Sequence, residues 1–398
     1  MPTFPLLEYS IAFVALYASV FFFLLLYKHR NELDEEPALL PISKLLCVSI
    51  VIPVLNEQGT IIKTLDAVFA LNYPKNKIEV IVVDDGSTDN TIREVKNYGH
   101  GVKLLQNKHR GIGKSSALNA GIRMAKGELI ATLDSDSFPE KNSLHQLVSF
   151  FADEKLMAVT AAVKVHKPRT IIEKLQSVEY IFVMLSRKLL TFVDSVTVTP
   201  GPFSVFRSKV FNKVGLFDES SILEDQEMAY RIQAHNYKIV GSINADVYTE
   251  VPSTFSQLVR QRVRWNRGGI RNFYKHRRML STKYGDLGTV VLPLGVATII
   301  LVVFIFASVL WQIITGQFFS WFSLEGLIYS FGAVQTISIL MLVLGILWLL
   351  AGRKLFHDER STLSIGKLLL FLIAYTYFMS IFWLVTFGEE LFGKKQKW

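Results

Sequence analysis

Three acidic clusters and one basic, aromatic cluster carry the residue types able to do chemistry. Asp134-Ser135-Asp136 follows the apolar run 128–133 and sets two carboxylates one residue apart. Such a pair suits a divalent cation whose other ligands are diphosphate oxygens and water, since magnesium is usually held by one or two carboxylates plus substrate phosphate. A plain turn is the alternative for that motif taken alone. Asp84-Asp85-Gly86-Ser87 closes the apolar run 78–83. It reads either as a tight turn that uses the freedom of Gly86 or as a carboxylate accepting hydrogen bonds from a base or ribose. Acid pairs gathered on one edge repel each other unless a cation or a donor-rich ligand lies between them. Glu224-Asp225 follows Ile222-Leu223 and opens a helical stretch, 228–234. These acids either complement the helix dipole or supply a general base that takes a proton from an acceptor hydroxyl.

The basic residues divide into two groups. Gly111-Ile112-Gly113-Lys114-Ser115 fails both glycine-loop signatures, because Lys108 stands where a phosphate loop needs glycine and Ser116 where a dinucleotide fingerprint does. What remains is a basic turn, Lys108-His109-Arg110 with Lys114, that either neutralises phosphate at a helix start or is simply solvated. Residues 260–278 hold eight Lys or Arg and no acid, mixed with Val263, Trp265, Ile270 and Phe273. A segment of this kind just before a long apolar run reads as a helix lying at a membrane surface.

These clusters need a scaffold, and the apolar pattern supplies one. Runs 45–54, 78–83, 102–105 and 128–133 read as strands, and 61–69, 88–95 and 115–125 as helices between them. Alternating strands and helices make an open α/β sheet, which binds ligands outside the carboxyl ends of its strands. Residues 171–189 carry apolar side chains at a four-three spacing (Ile171, Leu175, Val178, Phe182, Leu185, Leu189), one stripe on a helix that lies against the membrane or the domain.

The chain has 398 residues, half of them hydrophobic, and a positive mean hydropathy. The apolar residues concentrate in four runs, 9–27, 290–313, 327–350 and 368–387, each near the twenty residues that cross a bilayer as a helix. The first run ends in Lys28-His29-Arg30 and has no Lys or Arg before it, so its end lies in the cytoplasm. A cleaved signal peptide fits less well, for want of a basic leader and a small-x-small site. The loop 315–325 lacks Lys and Arg and 353–367 holds four, which places the first outside and the second inside. Four spans then leave both termini outside, against the basic Lys394-Lys395-Gln396-Lys397; a last segment lying in the interface removes that conflict. The formal charge of +9 is read as basic residues facing anionic lipid, with no nucleic-acid partner. A single cysteine, Cys47, excludes an intramolecular disulfide and fits a reducing compartment.

Taken together, Val51-Ile52-Pro53 to Glu57, Asp84-Asp85-Gly86, Asp134-Ser135-Asp136, Gly201-Pro202, Leu223-Glu224-Asp225 and Gln261-Arg262-Val263-Arg264-Trp265 resemble the family 2 glycosyltransferases. Within these the chain is similar to the membrane synthases of hyaluronan, cellulose, chitin and poly-N-acetylglucosamine. The resemblance covers residues 45–285. It implies an α/β nucleotide-diphospho-sugar transferase domain, a GT-A-like open sheet inserted between transmembrane α-helices. The division that follows is a transmembrane helix at 1–30, a linker at 31–44, a cytoplasmic transferase domain at 45–252, interfacial helices at 253–287 and about three transmembrane helices at 288–398. The resemblance further implies an inverting hexosyltransferase of the plasma membrane that uses a nucleotide-sugar, with Mg2+ or Mn2+ as cofactor. Pro53, Glu57, Asp84, Asp85, Lys114, Asp134 and Arg264 would contact the donor, and Asp136 with Asp134 the metal. Asp225, with Glu224 beside it, would be the base, and Gly201, Gln261 and Trp265 would meet the acceptor. That acceptor is the end of a growing polysaccharide or, in the alternative, a membrane lipid, as in the ceramide glucosyltransferases. Four helices are few for a polymer channel, and a homo-oligomer would supply more.

Overall fold

The computed structural model describes residues 5–99, 101–107, 111, 113–316, 333–356 and 365–393. The first half runs α1 (Pro5–Lys28), β1 (Val48–Val54), α2 (Ile61–Phe69), β2 (Ile78–Asp84), α3 (Thr91–Tyr98), β3 (Val102–Gln106), α4 (Lys114–Met124), β4 (Leu129–Thr132), β5 (Ser137–Pro139), α5 (Ser143–Ser149) and β6 (Leu156–Val165). Then follow α6 (Ile171–Thr191), β7 (Ser204–Arg207), α7 (Ser208–Val214), α8 (Glu224–Ala234), β8 (Lys238–Thr249), α9 (Phe255–Lys275) and three long helices. These are α10 (Leu292–Ile314), α11 (Ala333–Phe356) and α12 (Ile365–Leu391).

The strands form one sheet in the order β3-β2-β1-β4-β7-β6-β8-β5. β1 lies parallel to both β2 and β4, and β7 joins β4 antiparallel. Successive strand side chains point to opposite faces, and in β1 both faces are covered. Ile50, Ile52 and Val54 pack on Ile61 and Leu65 of α2, whereas Val51 packs on Ala117, Leu118 and Ile122 of α4. Burial on both sides is why β1 is a near-continuous apolar run with no alternation. The strand order reverses at β1, and the ends of β1, β2 and β4 open on one crevice, the edge on which the acidic clusters were expected.

α6 and α9 each begin with a capping box, Thr170 with Glu173 and Thr254 with Gln257, which satisfies otherwise orphaned amide donors. Four of the expected stripe residues of α6 (Leu175, Val178, Leu185, Leu189) and Ile181 meet Leu25 of α1, Trp348 and Leu349 of α11 and Phe371 and Phe382 of α12, whereas the expected Ile171 and Phe182 are exposed, because the buried face is turned toward Ile181. Ala162 of β6 and Ile243 of β8 belong to the same cluster, so the stripe also lies against the domain. The acidic linker docks as well: Glu36 accepts from the Ser242 hydroxyl at 3.0 Å and from the Ile243 amide.

Helices stand at all four apolar runs. Among the described residues one stretch, Ile339–Phe356, is long and apolar enough to cross a membrane by length and composition, and Ala12–Lys28 and Leu287–Leu301 are shorter apolar stretches. Residues 108–110, 317–332, 357–364 and 394–398 lie outside the described residues. The expected basic turn, most of both inter-helix loops, the first residues of the third run and the basic tail therefore fall there.

Gly127 sets the entry to β4. A Cβ there would lie 2.5 Å from the Ser49 nitrogen and 2.6 Å from the Leu129 oxygen, both backbone atoms of paired strands. Gly127→Ala is expected to destabilise the domain by about 1–3 kcal/mol, the usual cost of overpacking. Chemical denaturation of the wild type and the variant checks this.

Candidate active site

A cavity of about 250 Å3 lies at the carboxyl ends of β1 and β4, roofed by α6 and α9. Pro53 and Glu57 enter from the end of β1, Asp85 from β2 and Lys114 from the first turn of α4. Asp134 and Asp136 follow β4, Gly201 precedes β7, Glu224 and Asp225 open α8, and Gln261, Arg264 and Trp265 stand on α9. Spacings of three and four put the last three on one helix face. Every expected site residue but one lines this cavity.

The exception is Asp84. Its carboxylate accepts the amides of Gly86 and Ser87 at 3.2 and 3.0 Å, so the turn reading holds for this residue. Asp85 is the member of the pair that reaches the cavity. It accepts from the Gly113 amide at 2.9 Å and the Asn107 side chain at 3.0 Å, and burial raises its carboxyl above the usual range. Through Gly113, at φ 126, Asp85 holds the glycine turn on the end of β2 and so delivers Lys114 to the start of α4.

Lys114 is the electrostatic centre. Its ammonium lies 2.5 Å from Asp134 and 3.2 Å from Glu224. Burial alone would pull its pKa down, but Asp134, Glu224 and Asp225 outweigh that and hold it charged. Asp136 accepts from the hydroxyls of Ser137 at 3.2 Å and Thr249 at 3.4 Å. Burial, then the charges of Asp134 and Glu57, push its carboxyl up to about 7. Burial also raises Glu57.

The acids of α8 separate by role. Glu227, fully buried, pairs with Arg231, Lys275 and His276 and ties α8 to the end of α9. Glu224 and Asp225 turn to the cavity instead. Asp225 accepts the Gln226 amide at 2.7 Å, and burial followed by the Glu224 charge pushes it up to about 7. A carboxyl there is suited to take a proton near neutral pH.

α9 is seated by Gly268, where a Cβ would lie 2.5 Å from that of Leu223, and by Asn272, which donates to the Leu223 carbonyl at 2.8 Å. Among the described residues Arg264 makes no ion pair, which leaves its guanidinium available to an anion. Sequence reasoning missed Tyr180 and Glu179 of α6. Tyr180 lines the cavity, and burial pushes its hydroxyl up to about 12. Their only signal in the sequence was that both fall off the apolar stripe.

Residues 49–215 match the family described as Glycosyl transferase family 2. The chain carries a family 2 glycosyl transferase domain. The poly-beta-1,6-N-acetyl-D-glucosamine synthase of Staphylococcus aureus (strain MSSA476) is 30% identical over 62% of this chain and 60% of its own length. The Bacillus subtilis (strain 168) protein named "Probable glycosyltransferase YdaM" is 32% identical over 61% of this chain and 57% of its own. The chain thus spans about 60% of the curated relatives it matches. Among solved structures, the mannosyltransferase PcManGT from Pyrobaculum calidifontis, in complex with GDP-Man and Mn2+, aligns with a TM-score of 0.62 over 98% of this chain and 100% of its own, at 19% identity. That likeness establishes the GT-A-like fold. By domain and by relatives, the chain is similar to glycosyltransferases.

Two carboxylates that follow β4, Asp134 and Asp136, are the ones in this cavity that could hold a divalent ion. Asp136 is buried close to like charges, which a cation would relieve. Among the described residues no group of three or more His, Cys, Asp or Glu side chains could hold a metal, so phosphate oxygens and water would complete the shell.

Two outcomes test this geometry. In Gly201→Ala the new Cβ would fall within 3 Å of the Lys114 nitrogen and both Asp134 oxygens. The variant is expected to unfold at the wild-type temperature while losing at least about tenfold in kcat/KM, the equivalent of one lost charged contact. The second outcome concerns Asp225, whose folded pKa is raised, so its ionised form destabilises the folded state at alkaline pH; that cost begins to shrink as pH falls below about 7 and is gone only below the ordinary carboxylate range, about 4. Asp225→Asn is therefore expected to raise the melting temperature most at pH 8.5 and by clearly less at pH 5.5, as read by thermal scans in EDTA.

Proposed function

We propose that this protein is an inverting, metal-dependent membrane hexosyltransferase that moves a sugar from a nucleotide-sugar, a UDP-sugar in the first instance, to the growing end of a polysaccharide. The observation that carries the reading is the meeting, in one cavity, of a donor-side acid pair, a buried lysine, an acid raised to about 7 and an α9 face bearing arginine and tryptophan. The similarity to a poly-N-acetylglucosamine synthase supports the polymer as product.

Pro53, Glu57 and Asp85 hold the nucleoside, and Lys114 and Arg264 hold the diphosphate. Arg264 suits that task because its planar fork matches phosphate oxygens. Asp134 and Asp136 would hold Mg2+ or Mn2+, which supplies charge stabilisation on the departing diphosphate. Gln261 and Trp265 seat the acceptor sugar, with Gly201 keeping the floor of the cavity clear. Asp225 takes the proton of the acceptor hydroxyl as its oxygen bonds to the anomeric carbon, and the bond from that carbon to the diphosphate breaks. Attack on the face opposite the leaving group inverts the anomeric configuration. Glu224 shares the Lys114 ammonium with Asp134 and so keeps Asp225 beside the donor end.

The domain division that accompanies this reading is a spanning helix at 1–30, a linker at 31–44, a transferase domain at 45–252 on the cytoplasmic face of the plasma membrane, interfacial helices at 253–287 and apolar helices at 288–398. α12 favours an interfacial course over a span. Along the basic helix α9, Phe378 and Phe382 meet Phe255, Thr386 meets Asn266, and Glu389 and Glu390 pair with Arg267. A helix beside so polar a neighbour stays at the surface. The small number of long apolar helices favours a second reading, the addition of a single sugar to a membrane lipid.

Purified protein with a panel of nucleotide-sugars and Mg2+, Mn2+ or EDTA is expected to release nucleotide with at least one donor and only with metal. Folded protein that releases none with any donor ends the enzyme reading, and product sizing separates a polymer ladder from a single addition. Asp225→Asn is expected to lower kcat by about 10²–10⁴-fold, the usual contribution of a general base, with donor binding retained in titrations. Because the base must be ionised, wild-type kcat/KM is expected to fall as pH drops below about 7. With Cys47→Ser as background, a cysteine at position 391 is expected to react with an impermeant maleimide only from the side on which protease reaches the transferase domain.

A further inference from the structure

We propose that Arg262, with Glu179 behind it, is a positioning residue that makes the Trp265 indole a one-sided platform for the acceptor sugar. The inference rests on the acceptor role given to Trp265 above.

Arg262 is 3% exposed although it belongs to a helix crowded with solvated cations. Its guanidinium is used on every side. One nitrogen donates to Glu179 at 2.5 Å, a second to the side-chain oxygen of Gln261 at 2.6 Å, and Nε approaches the Tyr375 hydroxyl at 3.5 Å. Its central carbon, Cζ, lies over the Trp265 ring, 4.0 Å from the centroid. Only a planar cation with donors along its edge can make these bonds and stack at the same time. Burial works against the charge, and the Glu179 carboxylate outweighs it.

Two consequences follow for the site. One face of the indole is covered, so an acceptor ring has only the other face to stack on, and Trp265 borders the cavity. The carbonyl oxygen of Gln261 is also turned to Arg262, which leaves the amide NH2 as the donor this side chain offers a ligand. Glu179 and Tyr180 are neighbours on α6. The first fixes Arg262 and the second lines the cavity, so α6 and α9 together form the acceptor wall.

An ion pair that merely joined α6 to α9 would show a different pattern on mutation. Arg262→Lys keeps the charge opposite Glu179 and loses the plane. The paired change Glu179→Gln with Arg262→Met leaves no buried charge unpartnered and guards against failure to fold. Both are assayed with UDP-N-acetylglucosamine as donor and a short β-1,6-linked N-acetylglucosamine oligosaccharide as acceptor. The acceptor KM is expected to rise about three- to tenfold, on the scale of one lost cation–π contact, while the donor KM and kcat stay at wild-type values. Acrylamide quenching of the Trp265 emission, taken as wild type minus Trp265→Phe, is expected to rise in both variants. Equal rises in donor and acceptor KM, or a Trp265 signal unchanged in a folded variant, overturn the proposal. The quenching measurement needs no turnover, so a wild-type protein inactive with this donor defeats the functional reading and leaves the quenching result to decide the role of Arg262.

Discussion

The site depends on one ammonium group. Asp134 at the end of a strand and Glu224 at the start of α8 come from distant parts of the chain, and both lie within 3.2 Å of Lys114. Without that cation, the crevice would gather Glu57, Asp134, Asp136, Glu224 and Asp225 with Arg264 on the facing helix as the one cation among the described residues of the lining, and their repulsion would press the strand ends and α8 apart. Lys114 balances part of this charge but not all of it. The excess appears as two carboxyls pushed up to about 7, Asp136 and Asp225. An acidic site left short of positive charge is prepared for a ligand that brings more, and for a carboxyl ready to take a proton.

How the fold delivers Lys114 shows why local details matter. The glycine turn before α4 lacks the glycine a phosphate loop needs at position 108, and its value is different. Asp85 accepts from Gly113 and, through its carbonyl, from Gly111, so the end of β2 fixes the first turn of α4. A motif that fails a known signature can still have a strict geometric task.

Much of this was legible in the sequence because buried parallel strands are near-continuous apolar runs that stop at polar residues. The ends of β1, β2 and β4, and with them Glu57, Asp85, Asp134 and Asp136, could be placed on one edge before any coordinates. The sequence could not choose between neighbours. Asp84 and Asp85 differ only in which carboxylate the turn consumes, and Glu224 and Glu227 only in which helix face they occupy. Arg262 was one of eight basic residues in its segment, and nothing in its spacing set it apart from those at the surface. Glu179 and Tyr180 were hidden for a similar reason: an off-stripe residue on an amphipathic helix looks solvated until another element is known to cover it. Each of these distinctions depends on contacts between elements far apart in the chain.

α9 brings these strands of argument together. One side of it is fixed on α8 through Gly268 and Asn272, next to the raised acid Asp225. Another side meets α12 through Asn266 and Arg267, and a third meets α6 through Arg262. The residues left facing the cavity are therefore held from three directions, and a shift of α12 or α6 would be felt at Trp265 before it reached Asp134. In the proposed function this separates the two halves of the reaction physically. The donor half stands mainly on strand ends and the start of α4, with Arg264 alone reaching it from α9, whereas Gln261 and Trp265 of the acceptor half stand wholly on a helix that also touches the apolar layer, so acceptor recognition is the half that surroundings such as lipid can influence most.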